Sequence, residues 1–143
     1  MPRDAQADAA LSLAVEPYAA NPRVRVVLRG KVDGDAVVDA FIRLYAEQPA
    51  AVVYDRLIDL SDYRSGFELP HLKRIQAAYQ ATAVGPGRPC RTAFVTTDAN
   101  FRLWVASMGY QFSGREFSAF ATAAEAERFL DAPLDDRVQA AGA

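Results

Sequence analysis

The sequence predicts an α/β protein: one strand, then four strand–helix units, in a mostly parallel mixed sheet of about five strands covered by helices. Short segments that are rich in β-branched residues or that alternate with period two are followed repeatedly by segments with apolar residues at helical spacing. The 143-residue chain is also 51% hydrophobic and 24% charged, the composition of a globular protein able to bury a core. Repeated strand–helix alternation requires right-handed crossovers, and therefore mainly parallel strands.

The first two predicted strands form an antiparallel hairpin. Leu11, Leu13 and Val15 alternate with small or polar residues, the pattern of a half-buried strand. The second strand places apolar residues on one face and arginines on the other: Val24, Val26 and Leu28 against Arg23, Arg25 and Arg29. The arginine face could form a basic groove. The favoured interpretation is a surface whose arginines pair with neighbouring acids or are solvated.

The first helix is expected to begin at a cap formed by Asp33 or Asp35 and to end before Pro49. Its apolar residues fall at helical spacing: Val38, Phe41, Ile42 and Tyr45. The following run, 50–59, is dense in β-branched and aromatic residues, which predicts a buried central strand.

A second helix is predicted over 69–83 from the spacing of Leu72, Ile75 and Tyr79, closed by Gly85 and the turn sequence GPGRP. A strand begins near Cys90, and Thr97 or Asp98 can cap the helix after it. That helix has an apolar stripe ended by a glycine: Phe101, Trp104, Val105, Met108 and then Gly109.

The last predicted unit is a short strand over 115–120 followed by a helix. Thr122 and Glu125 have the spacing of a capping box at its start. Residues 1–10 and 132–143 lack periodicity and are expected to fray, and AANP at 19–22 is a turn. The predicted unit is therefore a single domain over 11–131.

Bulk properties exclude several classes of protein. The net charge is −2 and basic residues form no run longer than a pair, which argues against a nucleic-acid partner. No apolar stretch approaches the roughly 20 residues that span a bilayer, so no membrane insertion is expected. Cys90 is the single cysteine and no signal peptide is recognisable, so we expect a cytoplasmic protein without an internal disulfide.

The loop SDYRSGFELP, residues 61–70, is the main candidate for a functional segment. Ser65 and Glu68 have capping-box spacing, and Gly66 is expected to adopt an unusual backbone dihedral in a tight turn before a helix from Pro70. Alternatively, a phosphate on Ser65 would bring negative charge to a helix N-terminus, with Arg64 able to pair with it. A structural turn or cap is favoured over a switch.

Three acids, Asp55, Asp59 and Asp62, are expected to cluster at the end of the central strand, where open α/β sheets bind ligands. They could hold Mg²⁺, although a solvated strand end is favoured and no metal site is assigned. His71 has no companion at ligand spacing, and Cys90 has no visible base. No catalytic residue is therefore predicted.

Three stretches resemble the STAS domain, the fold of SpoIIAA-like anti-sigma-factor antagonists, in its divergent bacterial branch that also includes Sec14-like proteins. They are VRVVLRGKVDGDAVVDAF at 24–41, AVVYDRLIDLSDYRSG at 51–66 and FSAFATAAEAERFL at 117–130. These match the second strand with the first helix, the central strand with the switch loop, and the closing strand and helix.

The resemblance implies a regulatory module that binds a protein partner, without a cofactor. In the family the switch loop is Asp-Ser-Ser-Gly and its second serine is phosphorylated; the matching positions are Tyr63, Arg64, Ser65 and Gly66, so only Ser-Gly is retained. We expect the loop at 59–70 to be the contact surface, with Ser61 in the switch segment and Asp55, Asp59, Asp62 and Tyr63 as contact residues. A homodimer is also expected, because exposed sheet edges favour pairing with another chain.

Sec14-like relatives enclose apolar ligands, which implies a small-molecule or lipid carrier as the alternative function. The C-terminal half has enough aromatic residues to line a pocket: Phe101, Trp104, Tyr110, Phe112, Phe117 and Phe120. Most should lie in the core. An enzyme ranks third, because neither a partnered histidine nor a nucleophile elbow is present.

Overall fold

A computed structural model of the protein describes residues 10–16, 22–82, 90–107 and 115–132. Its main sheet has five strands in the spatial order β1-β2-β4-β6-β7. The strands are β1 Leu11–Glu16, β2 Arg23–Leu28, β4 Asp55–Asp59, β6 Cys90–Val95 and β7 Arg115–Phe120, and the short strands β3 Gly30–Lys31 and β5 Tyr63–Ser65 pair separately. The helices are α1 Gly34–Glu47, α2 Leu69–Thr82, α3 Ala99–Ser107 and α4 Ala123–Asp131, with a 3₁₀ helix at Pro49–Val53.

The predicted hairpin and the four strand–helix units are confirmed. β1 is antiparallel to β2, whereas β2, β4, β6 and β7 run parallel to their neighbours. Apolar residues of α1, α2 and α3 pack with one face of the sheet, which we call the front face, in a single cluster. The back face packs against α4 through Leu57, Ala93 and Leu130. The result is an α/β architecture with helices on both sides.

Local capping signals in the sequence identified three helix starts correctly. Asp33 Oδ1 accepts hydrogen bonds from the Asp35 and Ala36 N–H groups at the start of α1. At the start of α3, Asp98 Oδ1 accepts from the Asn100 and Phe101 N–H groups. At α4, Thr122 Oγ1 accepts from the Glu125 N–H at 3.2 Å and donates to its carboxylate. These contacts are local in sequence, so they can be identified without tertiary information.

The predicted strand over 50–59 is wrong in its first half. Residues from Pro49 to Val53 form the 3₁₀ helix, and β4 begins only at Asp55. Proline favours the first position of a helical turn, and a short apolar run cannot be assigned to strand or helix by periodicity alone. Other predictions lie outside the described residues: the tails, most of AANP, the turn at 85–89, Met108 and Gly109.

Two arginines of the predicted arginine face lie on β2 and pair with acids, whereas Arg29 follows the strand and is exposed. Arg23 contacts Asp131 at 2.5 Å, and Arg25 contacts Glu16 at 3.0 Å and Glu127 at 2.6 Å. Partial burial lowers the pKa of Arg25, but its hydrogen bonds to the two glutamates outweigh that effect, so its pKa is raised overall. The favoured interpretation, a paired surface, therefore holds for Arg23 and Arg25, although Arg23 is almost fully buried.

No helix among the described residues combines the length and the apolar character that crossing a bilayer would need.

Candidate functional site

The loop that follows β4 is held in place by the small parallel pair β3–β5. The Gly30 N–H donates to the Asp62 carbonyl at 2.7 Å, and the Val32 N–H donates to the Ser65 carbonyl at 2.8 Å. Gly66 then adopts a φ of +112°, as the sequence predicted in general terms. A Cβ at this position would lie 1.8 Å from the Val32 carbonyl oxygen, so only glycine permits this approach.

Side chains inside the loop reinforce the same shape. Asp59 Oδ1 accepts from the Ser61 N–H at 2.9 Å and from the Ser61 hydroxyl at 2.6 Å. The Tyr63 hydroxyl donates to the Phe67 carbonyl at 3.2 Å and accepts from the Phe67 N–H at 3.1 Å. These contacts assign a structural role to Asp59, Ser61 and Tyr63, because each closes a turn.

The predicted capping box between Ser65 and Glu68 does not form. Ser65 belongs to β5, and α2 starts at Leu69, so Ser65 is too far from the helix to cap it. Instead, the Glu68 N–H donates to His71 Nδ1 at 2.9 Å, and the His71 ring stacks on Phe67 with centroids 5.7 Å apart. His71 thus stabilises the start of α2, where its half-buried ring is structural.

The three acids of the predicted cluster are not brought together. Asp55 is the first residue of β4 and Asp59 is the last, which separates them by roughly 13 Å along the strand. Asp55 is 1% exposed, and it accepts from the Arg91 N–H at 2.9 Å. Asp59 is half-buried at the opposite end, and Asp62 is exposed. The structure therefore contradicts the proposed cluster, because the first and last residues of β4 lie at opposite ends of that strand.

Within the described residues, no group of three or more His, Cys, Asp or Glu side chains is arranged to hold a metal ion. Cys90 is buried at the start of β6.

An apolar cavity lies between the front face of the sheet and helices α1, α2 and α3; we call it the front cavity. Its volume is about 60 Å³. The lining residues come from strands, helices and the loop, and include Val26, Phe41, Ile58, Leu72, Phe94 and Phe67. Small-molecule sites are concave and lined mostly by apolar side chains, as this space is, but they typically measure about 300–1,000 Å³, so the front cavity suits only a very small ligand.

Aromatic rings form one side of the front cavity. Phe101 makes edge contacts with Phe94 and with Trp104, at centroid distances of 5.4 Å and 5.1 Å, and Phe117 stacks on Phe94. The aromatic content of the C-terminal half predicts that some of these rings line a pocket or a dimer face, and Phe101, Trp104 and Phe117 line this cavity. Phe120 packs on Phe129 at the back face, and Tyr110 and Phe112 lie outside the described residues.

Arg56 is the residue of this site that sequence analysis missed. It is 4% exposed, and its guanidinium lies 5.3, 5.4 and 5.9 Å from the ring centroids of Phe41, Tyr45 and Tyr79. It also donates to the Tyr45 hydroxyl. A basic residue inside a strand that was predicted to be buried was the available signal, but its meaning depended on which helices cover it.

The front cavity and the loop share a wall. Leu60, Tyr63 and Phe101 line the cavity and also an outer depression of about 370 Å³. The depression is more polar, because Ser61, Arg64 and Asp98 contribute to it. The exposed side chains of Arg64 and Ser65 therefore lie on the loop that forms the outer boundary of the cavity.

The element order, the mixed sheet and the placement of the loop after the central strand define an α/β protein of SpoIIAA-like fold. A solved structure with this architecture is that of an uncharacterised DUF3478-family protein from Shewanella loihica PV-4, described as having a SpoIIAA-like fold. It is similar to this chain with a TM-score of 0.62 and 14% identity, over 85% of this chain and 94% of that chain. No family model and no curated protein matches the sequence. The likeness shows the fold alone.

Proposed function

We propose that this protein acts by binding and not by catalysis, and that its ligand is a small apolar molecule held in the front cavity. The observation that supports this most directly is the cavity itself, which is bounded by aliphatic and aromatic side chains from the sheet and three helices. Transfer of apolar surface from water into such a space is favourable at about 25 cal/mol per Å². Close-packed interiors contain few voids larger than a water molecule, so this space is a distinctive feature.

Trp104 makes the proposal directly measurable. It is the single tryptophan of the chain, and it lines the front cavity. We expect xenon, an apolar probe small enough for this space, to quench the Trp104 fluorescence with a saturable dependence on xenon pressure. Val37→Phe should abolish this response, because Val37 lines the cavity and a phenyl ring would fill it.

The matched control is Ile42→Phe, which makes a similar change on the same helix, α1, at an exposed position. This variant should bind xenon as the wild type does. The proposal fails if the wild type shows no saturable response, or if both phenylalanine variants, shown to be folded by circular dichroism, respond as the wild type does.

A second candidate is a regulatory interaction with a protein partner at the loop surface, residues 59–70. It is supported by exposed Arg64 and Ser65 side chains on a backbone fixed by the β3–β5 pair and by Gly66. A preorganised surface loses less conformational entropy on binding than a flexible one. If the loop works as the switch loop of SpoIIAA-like proteins does, Ser65 of this chain is the phosphate acceptor.

For this candidate we expect phosphate on Ser65 after incubation with host lysate and ATP, located by mass spectrometry. Ser65→Asp should alter partner capture in a pull-down, because it adds charge at the loop. Ser12→Asp, an exposed serine on the edge strand β1, is the control and should leave capture unchanged. An unmodified Ser65 under several growth conditions would exclude the phosphorylation switch.

A further inference from the structure

We infer that the outer edge of β1 is the contact surface for a second copy of this chain, and that the two β1 strands pair antiparallel about a two-fold axis at Leu13. The two five-stranded sheets would then form one continuous sheet across the axis. This surface is separate from the site of the proposed function, because no residue of β1 lines the front cavity.

The hydrogen bonds between β1 and β2 show which backbone groups of β1 are left for a partner. The Arg29 N–H donates to the Ala10 carbonyl at 2.9 Å, so residue 10 is bonded toward β2. Bonded residues alternate along a regular antiparallel pair, and the register of β1 with β2 is continuous. The N–H and C=O groups of Leu11, Leu13 and Val15 therefore point away from β2. Among the described strands, none pairs with that side of β1.

β1 lacks the features that keep an edge strand from pairing with another chain. Protected edge strands carry Lys or Pro, contain a bulge, or are very short, whereas β1 is six residues long with the sequence LSLAVE. Leu11, Leu13 and Val15 pack against the core and yet are only half-buried. Leu13 and Val15 also line a groove of about 390 Å³ between β1 and α1. A second β1 strand would cover these side chains.

The sequence of β1 is complementary to itself in one antiparallel register. Placing Leu13 opposite Leu13 of the second copy brings Leu11 opposite Val15, so every outward N–H and C=O of these residues gains a partner. The side chains that face each other on the groove side are then aliphatic pairs, which stabilise antiparallel sheets. Moving the axis along the strand leaves Leu11 or Val15 opposite a residue outside β1.

The charges at the two ends of β1 are complementary in this arrangement. Half-buried Glu16 ends the strand, on the face of the sheet that carries Arg25. Exposed Arg29 is bonded to Ala10 at the other end, and alternation along β2 places it on that same face. Glu16 of one copy would face Ala10 of the second copy, whose small side chain lets the carboxylate approach Arg29 beyond it. The axis repeats this contact, which favours a second copy as the occupant of the edge.

Sedimentation velocity over a range of protein concentrations tests the association. We expect the wild type to reach about twice the mass of a single chain. Leu13→Lys should raise the dimer dissociation constant at least about tenfold, because it would bury an unpaired charge from each copy at the axis. The control is Leu103→Lys, the same change at a leucine on α3 that is 74% exposed, which should leave the dissociation constant unchanged.

Oxidative cross-linking tests the register. In the proposed pairing the Cα atoms of Leu13 in the two copies lie about 5.5 Å apart, a separation that a disulfide spans. Leu13→Cys should therefore give a disulfide-linked dimer under mild oxidation. Leu11→Cys is the matched control, because roughly 14 Å along the strand separates the two copies of Leu11. The wild type should stay unlinked, since its single cysteine, Cys90, is buried in β6.

Several results would overturn the inference. A wild type that stays monomeric at every concentration is one, and an unchanged dissociation constant in folded Leu13→Lys is another. If Leu13→Lys does not fold, cross-linking replaces it: no linked dimer from Leu13→Cys, or equal linking of Leu11→Cys, would contradict the register. Xenon binding in the front cavity is measured separately, so failure of the dimer leaves the proposed function standing, and the reverse also holds.

Discussion

Replacing Gly66 with alanine is expected to lower the free energy of unfolding by about 3 kcal/mol or more. Two effects add at this position. The backbone has a φ of +112°, where a side chain is strained, and the new Cβ would lie 1.8 Å from the Val32 carbonyl oxygen. Val32 follows β3 directly and its N–H is bonded to Ser65, so the clash cannot be relieved without separating β3 from β5. Urea denaturation followed by circular dichroism measures the loss.

Gly30→Ala is the matched control. Gly30 also has a positive φ, +61°, but no atom lies within 4 Å of a Cβ built there. Its substitution should cost only the conformational term, about 1–2 kcal/mol. Equal losses for the two variants would mean that the close approach of Gly66 to Val32 contributes nothing to stability.

Arg91→Met is expected to destabilise the protein by about 3–5 kcal/mol, because it leaves the buried carboxylate of Asp55 without its cationic neighbour. Arg91 and Asp55 have side chains that are 1% and 2% exposed, with 3.6 Å between Nη2 and Oδ2. The same guanidinium donates to the carbonyl groups that end α4: Phe129 at 2.6 Å, Leu130 at 2.8 Å and Ala132 at 3.0 Å. Its removal would therefore weaken the attachment of α4 to the back face.

The control for this prediction is Arg74→Met. Arg74 pairs with Asp35 at 2.5 Å, but the two side chains are 50% and 66% exposed. An exposed pair contributes at most about 1 kcal/mol, so the melting temperature should change little. A loss at Arg91 no larger than the loss at Arg74 would show that the buried arginine is not a structural tie between β6 and α4.

Both predictions depend on contacts between segments distant in sequence, whereas the predictions that succeeded from sequence were mainly local. Period-two and helical spacings located the strands and helices. Asp33, Asp98 and Thr122 were identified as caps or cap candidates because each contacts an N–H two or three residues away. The two-residue strand β3 has no periodicity to detect, and its partner β5 lies more than thirty residues further along the chain.

The candidate site was only partly predictable for the same reason. The loop containing Ser65 and Gly66 was recognised, and the aromatic content of the C-terminal half suggested a pocket. Asp55 was assigned to the wrong end of its strand because the start of β4 was predicted too early. The role of Arg56 required knowledge of the rings that surround it.

The order of elements, the α/β class and the glycine-dependent turn could be predicted from residue spacing, because they follow from periodicity and backbone preference within a few residues. The contact between Arg91 and Asp55 beneath α4, and the position of Arg56 at the lining of an apolar cavity, became visible only in the packed fold. Such placements depend on which faces of separate elements pack together, and a residue's own neighbours in the chain do not specify that packing.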